Sequence, residues 1–240
     1  MIRADEIRQI QSAARFGSTR AQLLLGQMCV DGNGVPQSRT EGRRWFQKAA
    51  DAGSVEGINM LGRCHELGWG GPVDLAAAAA CYRQAAGRGF DWAQFNLASL
   101  LHDGKGVKQD RREACAWFVR AARQGHAKAA NMLGHYREEG WLHPRRPQAA
   151  RRWYERAARG GDFRGQFNLA RFLFAAGKRE PALVWLDRAV AGGIPDFWRE
   201  IAPVLAGHPD PALRRYGARA WTLASSGSAG AASQPPPSAR

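Results

Sequence analysis

An Ala-Ala pair recurs every 36 residues along this chain, and a glycine follows three residues after each pair. The pairs occupy positions 13–14, 49–50, 85–86, 121–122 and 157–158, and the glycines are Gly17, Gly53, Gly89, Gly125 and Gly161. Five copies in phase indicate a repeat protein, in which each unit buries its apolar face only against its neighbours. Packing therefore explains most of the patterned residues, and function has to be sought in residues that depart from the pattern.

One repeat contains two helical segments. AQLLLGQMCV, at 21–30, has apolar residues at helical spacing and runs into DGNGV, at 31–35, whose glycines can end a helix. RTEGRRWFQKAADAG, at 39–53, places small and aromatic residues on one stripe at three- and four-residue spacing. Each repeat therefore predicts a helical hairpin, helix A followed by helix B.

Aligned repeats form columns of one residue type. Leucine holds one position of helix A, at Leu25, Leu61, Leu97, Leu133 and Leu169. Helix B carries a tryptophan in most copies, followed directly by a second bulky residue; these tryptophans are Trp45, Trp117, Trp153 and Trp185. Because the aromatic pairs keep a fixed phase with the alanines, we interpret both members as core and not as a base-stacking surface.

The pattern predicts an all-α fold, an α-solenoid of helix-turn-helix repeats with a 36-residue period. We predict a capping helix at 1–17, degenerate capping helices at 194–224 and a disordered tail at 225–240, since the tail is low-complexity and short of bulky apolar groups. The five predicted hairpins between the caps span 18–53, 54–89, 90–125, 126–161 and 162–193.

The chain is strongly basic, with 35 Lys+Arg against 21 Asp+Glu and a formal net charge of +14. Such a charge predicts attraction to acidic proteins, nucleic acid or anionic lipid, although a solvated arginine-rich face is an alternative. The densest run, HPRRPQAARRWYERAARGG, supplies a candidate basic surface of Arg145, Arg146, Arg151, Arg152 and Arg156. Its aromatic residues are assigned to the core, which disfavours binding to single-stranded nucleic acid.

Residues that could support catalysis or metal binding are few. The four cysteines lack CxxC spacing, and we interpret them as reduced, packed thiols. Cys64 and His65 with Cys29 form the best candidate metal site, but adjacent helical residues point about 100° apart. At most two ligands then remain, fewer than the usual four-coordinate zinc site needs. We expect no metal and no cofactor.

The sequence contains neither an apolar run of signal-peptide length at its start nor the run of about 18 apolar residues that a membrane helix requires. We therefore expect a cytoplasmic protein that does not insert into membranes.

A second stripe of helix A lies beside the core stripe and supplies a candidate binding surface. Asparagine amides there could hold a peptide backbone because they offer donors and an acceptor, Trp92 could anchor an apolar group, and arginines could meet carboxylates. An ordinary solvated surface is the alternative. The predicted binding residues are Trp92, Asn96, Lys128, Asn131, His135, Arg164, Asn168 and Arg171.

The segments LGQMCVDGNGV with WFQKAADAG, and LASLLHDGKGV with WFVRAARQG, resemble the Sel-one-like repeat (SLR), a branch of the tetratricopeptide-like helical hairpins. The resemblance covers about residues 6–193. It implies a right-handed superhelix with the A helices on its concave side. It also implies an adaptor or scaffold role, often in bacterial signalling, envelope homeostasis or host interaction.

Two functional hypotheses follow. The first is a non-catalytic, monomeric, cytoplasmic adaptor that binds another protein or peptide through the concave helix-A face. The second is a binder of nucleic acid or another polyanion through the basic helix-B side. A third alternative, a thiol or metal enzyme, lacks a convergent set of ligands.

Overall fold

The computed structural model describes residues 3–226, which contain thirteen α-helices and no strands. The helices are α1 (Ala4–Arg15), α2 (Thr19–Asp31), α3 (Arg39–Asp51), α4 (Val55–Leu67), α5 (Leu75–Gly87), α6 (Asp91–Asp103), α7 (Arg111–Arg123), α8 (Ala127–Glu139), α9 (Pro147–Arg159), α10 (Phe163–Ala175), α11 (Arg179–Gly192), α12 (Pro195–Ala206) and α13 (Pro211–Ser226). The all-α hairpin architecture predicted from the repeat is confirmed. Of the predicted tail, Ser225 and Ser226 end α13, and the remainder lies outside the described residues.

The chain forms two compact units, Met1–Gln124 and Gly125–Arg240. In the first unit, α1 precedes three hairpins, α2–α3, α4–α5 and α6–α7, and each helix packs against the next along the chain. The second unit contains the hairpins α8–α9, α10–α11 and α12–α13, and α9 also packs against α10. The A helices are thus α2, α4 and α6 in the first unit and α8, α10 and α12 in the second.

Local sequence sets where the A helices begin and end. Ser18, Ser54 and Asp162 each accept, through a side-chain oxygen, the backbone N–H three residues on, which caps an exposed helix start. At the end, Gly32, Gly68, Gly104 and Gly140 adopt left-handed backbone conformations with φ between 66° and 73°. A side chain with a Cβ rarely adopts this conformation, so the first glycine after each of these A helices is explained as a helix stop.

The second member of each aromatic pair forms the core of the hairpin. Phe46, Tyr82, Phe118, Tyr154 and Leu186 are at most 1% exposed. The prediction that the preceding tryptophans are also core holds only in part, because Trp45 and Trp185 pack against buried clusters, but all four tryptophans, Trp45, Trp117, Trp153 and Trp185, are only half-buried. A cation three residues later stands over each of these four rings, at centroid distances from 4.2 to 5.9 Å. Adjacent helical residues point about 100° apart, so only one of the two can face the core.

The buried ring lies directly against the backbone of helix A. A Cβ placed on Gly26, Gly62 or Gly134 would stand 2.6, 2.5 or 2.3 Å from a ring atom of Phe46, Tyr82 or Tyr154, respectively. These distances are shorter than any van der Waals contact between carbons. Gly26, Gly62 and Gly134 occupy equivalent positions of helix A, and the absence of a Cβ at these positions lets the ring of helix B reach the helix backbone.

We expect Gly134→Ala to lower the free energy of unfolding by about 1–3 kcal/mol through overpacking against Tyr154. Helix propensity alone would change stability in the opposite direction, by about 1 kcal/mol in favour of alanine. Gly87→Ala is the control, because Gly87 is exposed at the end of α5 and no atom lies within 4 Å of its would-be Cβ. Urea unfolding of the two variants tests this, and stabilisation by both substitutions would contradict the proposed role of the ring contact.

The N-cap of α8 should make stability depend on pH. His126 is buried, and its Nδ1 accepts the N–H of Ala129 at 3.2 Å, which requires a neutral ring. Burial, with Lys128 nearby, lowers the pKa of His126 from 6.5 to about 4. Between these values the unfolded chain binds more protons than the folded chain, so stability falls as the pH falls. From pH 7 to pH 5 this should cost about 1–2 kcal/mol, at roughly 1.4 kcal/mol per pH unit below 6.5.

The matched variant is His126→Ser, since serine caps α2 and α4 at the equivalent positions. The unfolding midpoint should fall more between pH 7 and pH 5 in the wild type than in this variant, because the serine cap does not titrate. An identical pH dependence in the two proteins would show that His126 is not the responsible group.

Candidate interaction surface of the A helices

Asparagines link neighbouring A helices in the first unit. Asn96, on α6, donates a hydrogen bond through Nδ2 to Oδ1 of Asn59, on α4, at 3.1 Å. Asn59 is buried and Asn96 is half-buried. The two residues lie in consecutive repeats, one position apart in register. The pair therefore joins the A helix of one repeat to the A helix of the next.

The second unit repeats this contact and extends it. Asn168, on α10, donates through Nδ2 to Oδ1 of Asn131, on α8, at 2.9 Å, and both residues are buried. Asn168 Nδ2 also lies 3.4 Å from His135 Nε2. Burial lowers the pKa of His135, which favours the neutral ring that can accept this bond.

An ion pair lies beside these amides. Arg171 Nη2 is 3.1 Å from both carboxylate oxygens of Glu138, and the same guanidinium donates to Asn168 Oδ1 from Nε at 3.3 Å and from Nη2 at 3.2 Å. Tyr154, from the core of the hairpin, donates its hydroxyl to Glu138 at 2.6 Å. A continuous polar network therefore runs from the buried Tyr154 to the exposed Arg171.

Each of the two buried tyrosines of helix B, Tyr82 and Tyr154, contacts a glutamate of its own hairpin. Tyr82 donates its hydroxyl to Glu66 at 2.5 Å, as Tyr154 does to Glu138. Burial, and next the neighbouring carboxylate, raise the pKa of both phenols far above the usual range, so both remain proton donors. The sequence prediction missed Glu66 and Glu138. Their signal was the coincidence of Tyr in helix B with Glu sixteen residues earlier, which the Phe-bearing copies lack.

The other predicted binding residues are distributed as follows. Trp92 is half-buried at the start of α6, and Lys128 is half-buried at the start of α8. Arg164, on α10, pairs with Glu200 of α12 and stands over the Phe163 and Phe197 rings at 5.8 and 5.5 Å. Both arginines predicted to meet a partner's carboxylates, Arg164 and Arg171, thus already contact carboxylates of their own unit.

The predicted basic surface lies on and just before α9. Arg145, Arg146, Arg152 and Arg156 are exposed and Arg151 is half-buried. Arg145 pairs with Glu139 at 3.6 Å, and Arg156 stands over Trp153 at 5.9 Å. Arg146, Arg151 and Arg152 form no ion pair within the part of the chain that the structure describes.

The candidate metal site does not assemble. In residues 3–226, no three His, Cys, Asp or Glu side chains come together in a group that could hold a metal ion. Burial raises the pKa of the Cys64 thiol to about 11, so it stays protonated, and His65 Nε2 lies 3.4 Å from Arg43 Nη2. Across the same residues, no helix combines the length and the apolar character needed to cross a bilayer.

Comparison with known proteins gives a family match. The family model described as Sel1 repeat matches residues 19–54, 55–90, 93–126 and 127–162, which is more than half of the chain. The fifth predicted hairpin, at 162–193, lies beyond these matches. Among curated proteins, none matches significantly.

Solved structures resemble this chain over most of its length. A Sel1 repeat protein from Oxalobacter formigenes is 25% identical with a TM-score of 0.76, over 92% of this chain and 99% of that one. c5321, a protective antigen present in uropathogenic Escherichia coli strains displaying an SLR fold, is 27% identical with a TM-score of 0.68, over 94% of this chain. This chain spans about half, 49%, of c5321. These matches confirm the α-solenoid class and the resemblance to SLR proteins.

We expect Asn168→Ala to lower the free energy of unfolding by about 1–3 kcal/mol, because it leaves the buried Asn131 without its partner. Asn96→Ala is the matched variant and should cost less, since water can reach the half-buried amide at that position. Urea unfolding of both variants measures the difference. Equal costs at the two positions would mean that burial does not set the strength of the asparagine pair.

Proposed function

This chain belongs to the Sel1 repeat family, whose members are generally protein-interaction scaffolds, and we propose on that basis that it is a non-catalytic adaptor. In this proposal a protein or peptide partner binds the A-helix face. The predicted residues belong to A helices of both units, Trp92 and Asn96 to α6 of the first and Lys128, Asn131, His135, Arg164, Asn168 and Arg171 to α8 and α10 of the second, and of these Asn131 and Asn168 are buried. The proposal includes a monomeric, cytoplasmic protein without metal or cofactor.

The observation that carries the proposal is the ordering of polar and aromatic side chains on rigid A helices, at positions that differ between repeats. Arg171 is exposed, yet Glu138 and Asn168 hold its guanidinium through several hydrogen bonds. A side chain already fixed in one conformation loses little entropy when a partner binds. Trp92 supplies the kind of large, half-exposed aromatic group that dominates binding energy at protein interfaces.

Trp92→Ala should weaken partner binding by about tenfold or more, as truncation of a hot-spot tryptophan does. The control is Trp45→Ala, in helix B of the same unit. Trp45 packs against the cluster of Ala14, Ala21, Leu25 and Cys29, so its loss should lower stability. The measurements are affinity capture at high salt, followed by titration of the captured partner.

The contrary result is retained binding by Trp92→Ala together with lost binding by folded Trp45→Ala. That pattern would place the interface on the helix-B side and overturn the proposed face.

A second candidate function is favoured by the unpaired cations of α9. Arg146 and Arg152 are exposed without an ion pair within residues 3–226, so they could neutralise phosphates of a nucleic acid. Arg146→Glu with Arg152→Glu should then abolish a nuclease-sensitive complex that weakens steeply with salt. Arg159→Glu is the control, because Arg159 already pairs with Glu155 at 2.7 Å. Capture that resists both nuclease and salt would reject this candidate.

A further inference from the structure

The polar network of the second unit has a counterpart two repeats earlier that differs by two side chains: Arg63 stands where the second unit has His135, and Ser99 stands where it has Arg171. Asn59, Glu66, Tyr82 and Asn96 correspond in the sequence to Asn131, Glu138, Tyr154 and Asn168. The hydrogen bonds correspond as well. The asparagine pairs measure 3.1 and 2.9 Å, and the tyrosine–glutamate pairs measure 2.5 and 2.6 Å. The position of Arg171, however, is occupied by Ser99 in the first unit.

Arg171 shows what this arrangement of acceptors binds. Its guanidinium reaches the Glu138 carboxylate at 3.1 Å and the Asn168 carbonyl oxygen at 3.2 and 3.3 Å. Because the guanidinium is planar and carries donors on three nitrogens, it can serve both acceptors at once. The Glu138 and Asn168 oxygens are therefore a guanidinium site that the chain fills with its own arginine.

In the first unit the same acceptors have no such partner. Ser99 Oγ donates to the Phe95 carbonyl of its own helix at 3.0 Å and does not reach across. Glu66 accepts the Tyr82 hydroxyl but forms no ion pair with any described residue. The Asn96 carbonyl oxygen likewise receives no hydrogen bond within residues 3–226.

The nearby cations are engaged elsewhere. Arg63, one turn before Glu66, stands over the Trp69 ring at 5.0 Å, and its Nη1 lies 3.9 Å from Met60 Sδ. Lys105 pairs with Asp103 at 2.8 Å. A half-buried carboxylate beside an amide oxygen gains most from a charged donor that supplies several hydrogen bonds together.

We propose that Glu66, Asn96 and Ser99 form an arginine socket, which binds an arginine side chain of the partner protein on the A-helix face of the first unit. The partner's guanidinium takes the place that Arg171 takes in the second unit, and the small Ser99 leaves room for it. This inference rests on the proposed adaptor function and specifies the chemistry of the partner. Lysine fits less well, since its ammonium group is compact and cannot span both acceptors as a planar fork does.

A small probe tests the socket directly on the full chain. N-acetyl-arginine amide, titrated into isotope-labelled protein and followed by backbone amide NMR shifts, should perturb residues around Glu66, Asn96 and Ser99. N-acetyl-citrulline amide has the same shape without the charge and should bind at least about tenfold more weakly, as should the arginine probe to Glu66→Gln. Equal shifts with both probes, or unchanged binding to Glu66→Gln, would overturn the inference.

Exchanging serine and arginine between positions 99 and 171 gives a reciprocal test. Ser99→Arg should fill the socket from within and abolish binding of the probe. Arg171→Ser should open a second site, so that the arginine probe raises the unfolding temperature of this variant more than that of the wild type. An absence of both effects would reject the socket, and the second effect remains measurable if Ser99→Arg fails to fold.

The socket and the adaptor function can fail separately. Partner binding that is lost in Trp92→Ala but unchanged in Glu66→Gln and Ser99→Arg would keep the adaptor function and reject the socket. Partner binding that survives Trp92→Ala would reject the A-helix face, while the probe titration still decides the socket on the isolated chain.

Discussion

The contact between the buried ring of helix B and the backbone of helix A determines the rest of the structure. Phe46, Tyr82 and Tyr154 approach a glycine of helix A more closely than a Cβ would allow. This approach fixes the rotation of these A helices about their axes, because the glycine has to face the ring. Once the rotation is fixed, the leucine column faces the core and the neighbouring stripe faces outward. The exposed A-helix face is therefore a consequence of where the small residues stand.

The period and the helix boundaries were predictable because their causes are local. Glycines at the ends of helices and serine or aspartate at their starts act within a few residues, and the sequence shows them directly. The choice between Trp45 and Phe46 as the core residue was not predictable from the column alone. Adjacent aromatic positions carry the same period and differ only in direction. The signal was the Lys or Arg three residues after each tryptophan, whose stem covers a half-exposed ring and would have no place beside a buried one.

The asparagines show a different limit of sequence reasoning. Asn168 interrupts an otherwise apolar column and Asn131 lies one position before that column in the preceding repeat; both were predicted to hold a peptide, but the structure directs the amide of Asn168 at that of Asn131. Their partnership spans 37 residues and becomes visible only when two repeats are stacked. The tyrosine–glutamate pairs lie within one hairpin, sixteen residues apart, and also occur in alternate copies. The effective period of the polar side chains is thus two repeats, while that of the apolar core is one.

This longer period separates the side chains that packing requires from those that it does not. A residue that recurs in every copy is explained by the hairpin, and one that recurs in alternate copies is explained by the contact between stacked hairpins. Trp92 and Arg164 occupy equivalent positions two repeats apart, as do Ser99 and Arg171, and the side chains differ at both positions. In the second unit both of these positions are occupied by arginines that pair with Glu200 and Glu138 of the same unit. In the first unit the equivalent positions carry an aromatic ring and a small hydroxyl, while the acceptors around Ser99 are kept. Glu66 and Asn96 keep their packing bonds to Tyr82 and Asn59, but no described residue of the first unit supplies the guanidinium that Arg171 supplies in the second, which is why the first unit is where a partner's chemistry should be sought.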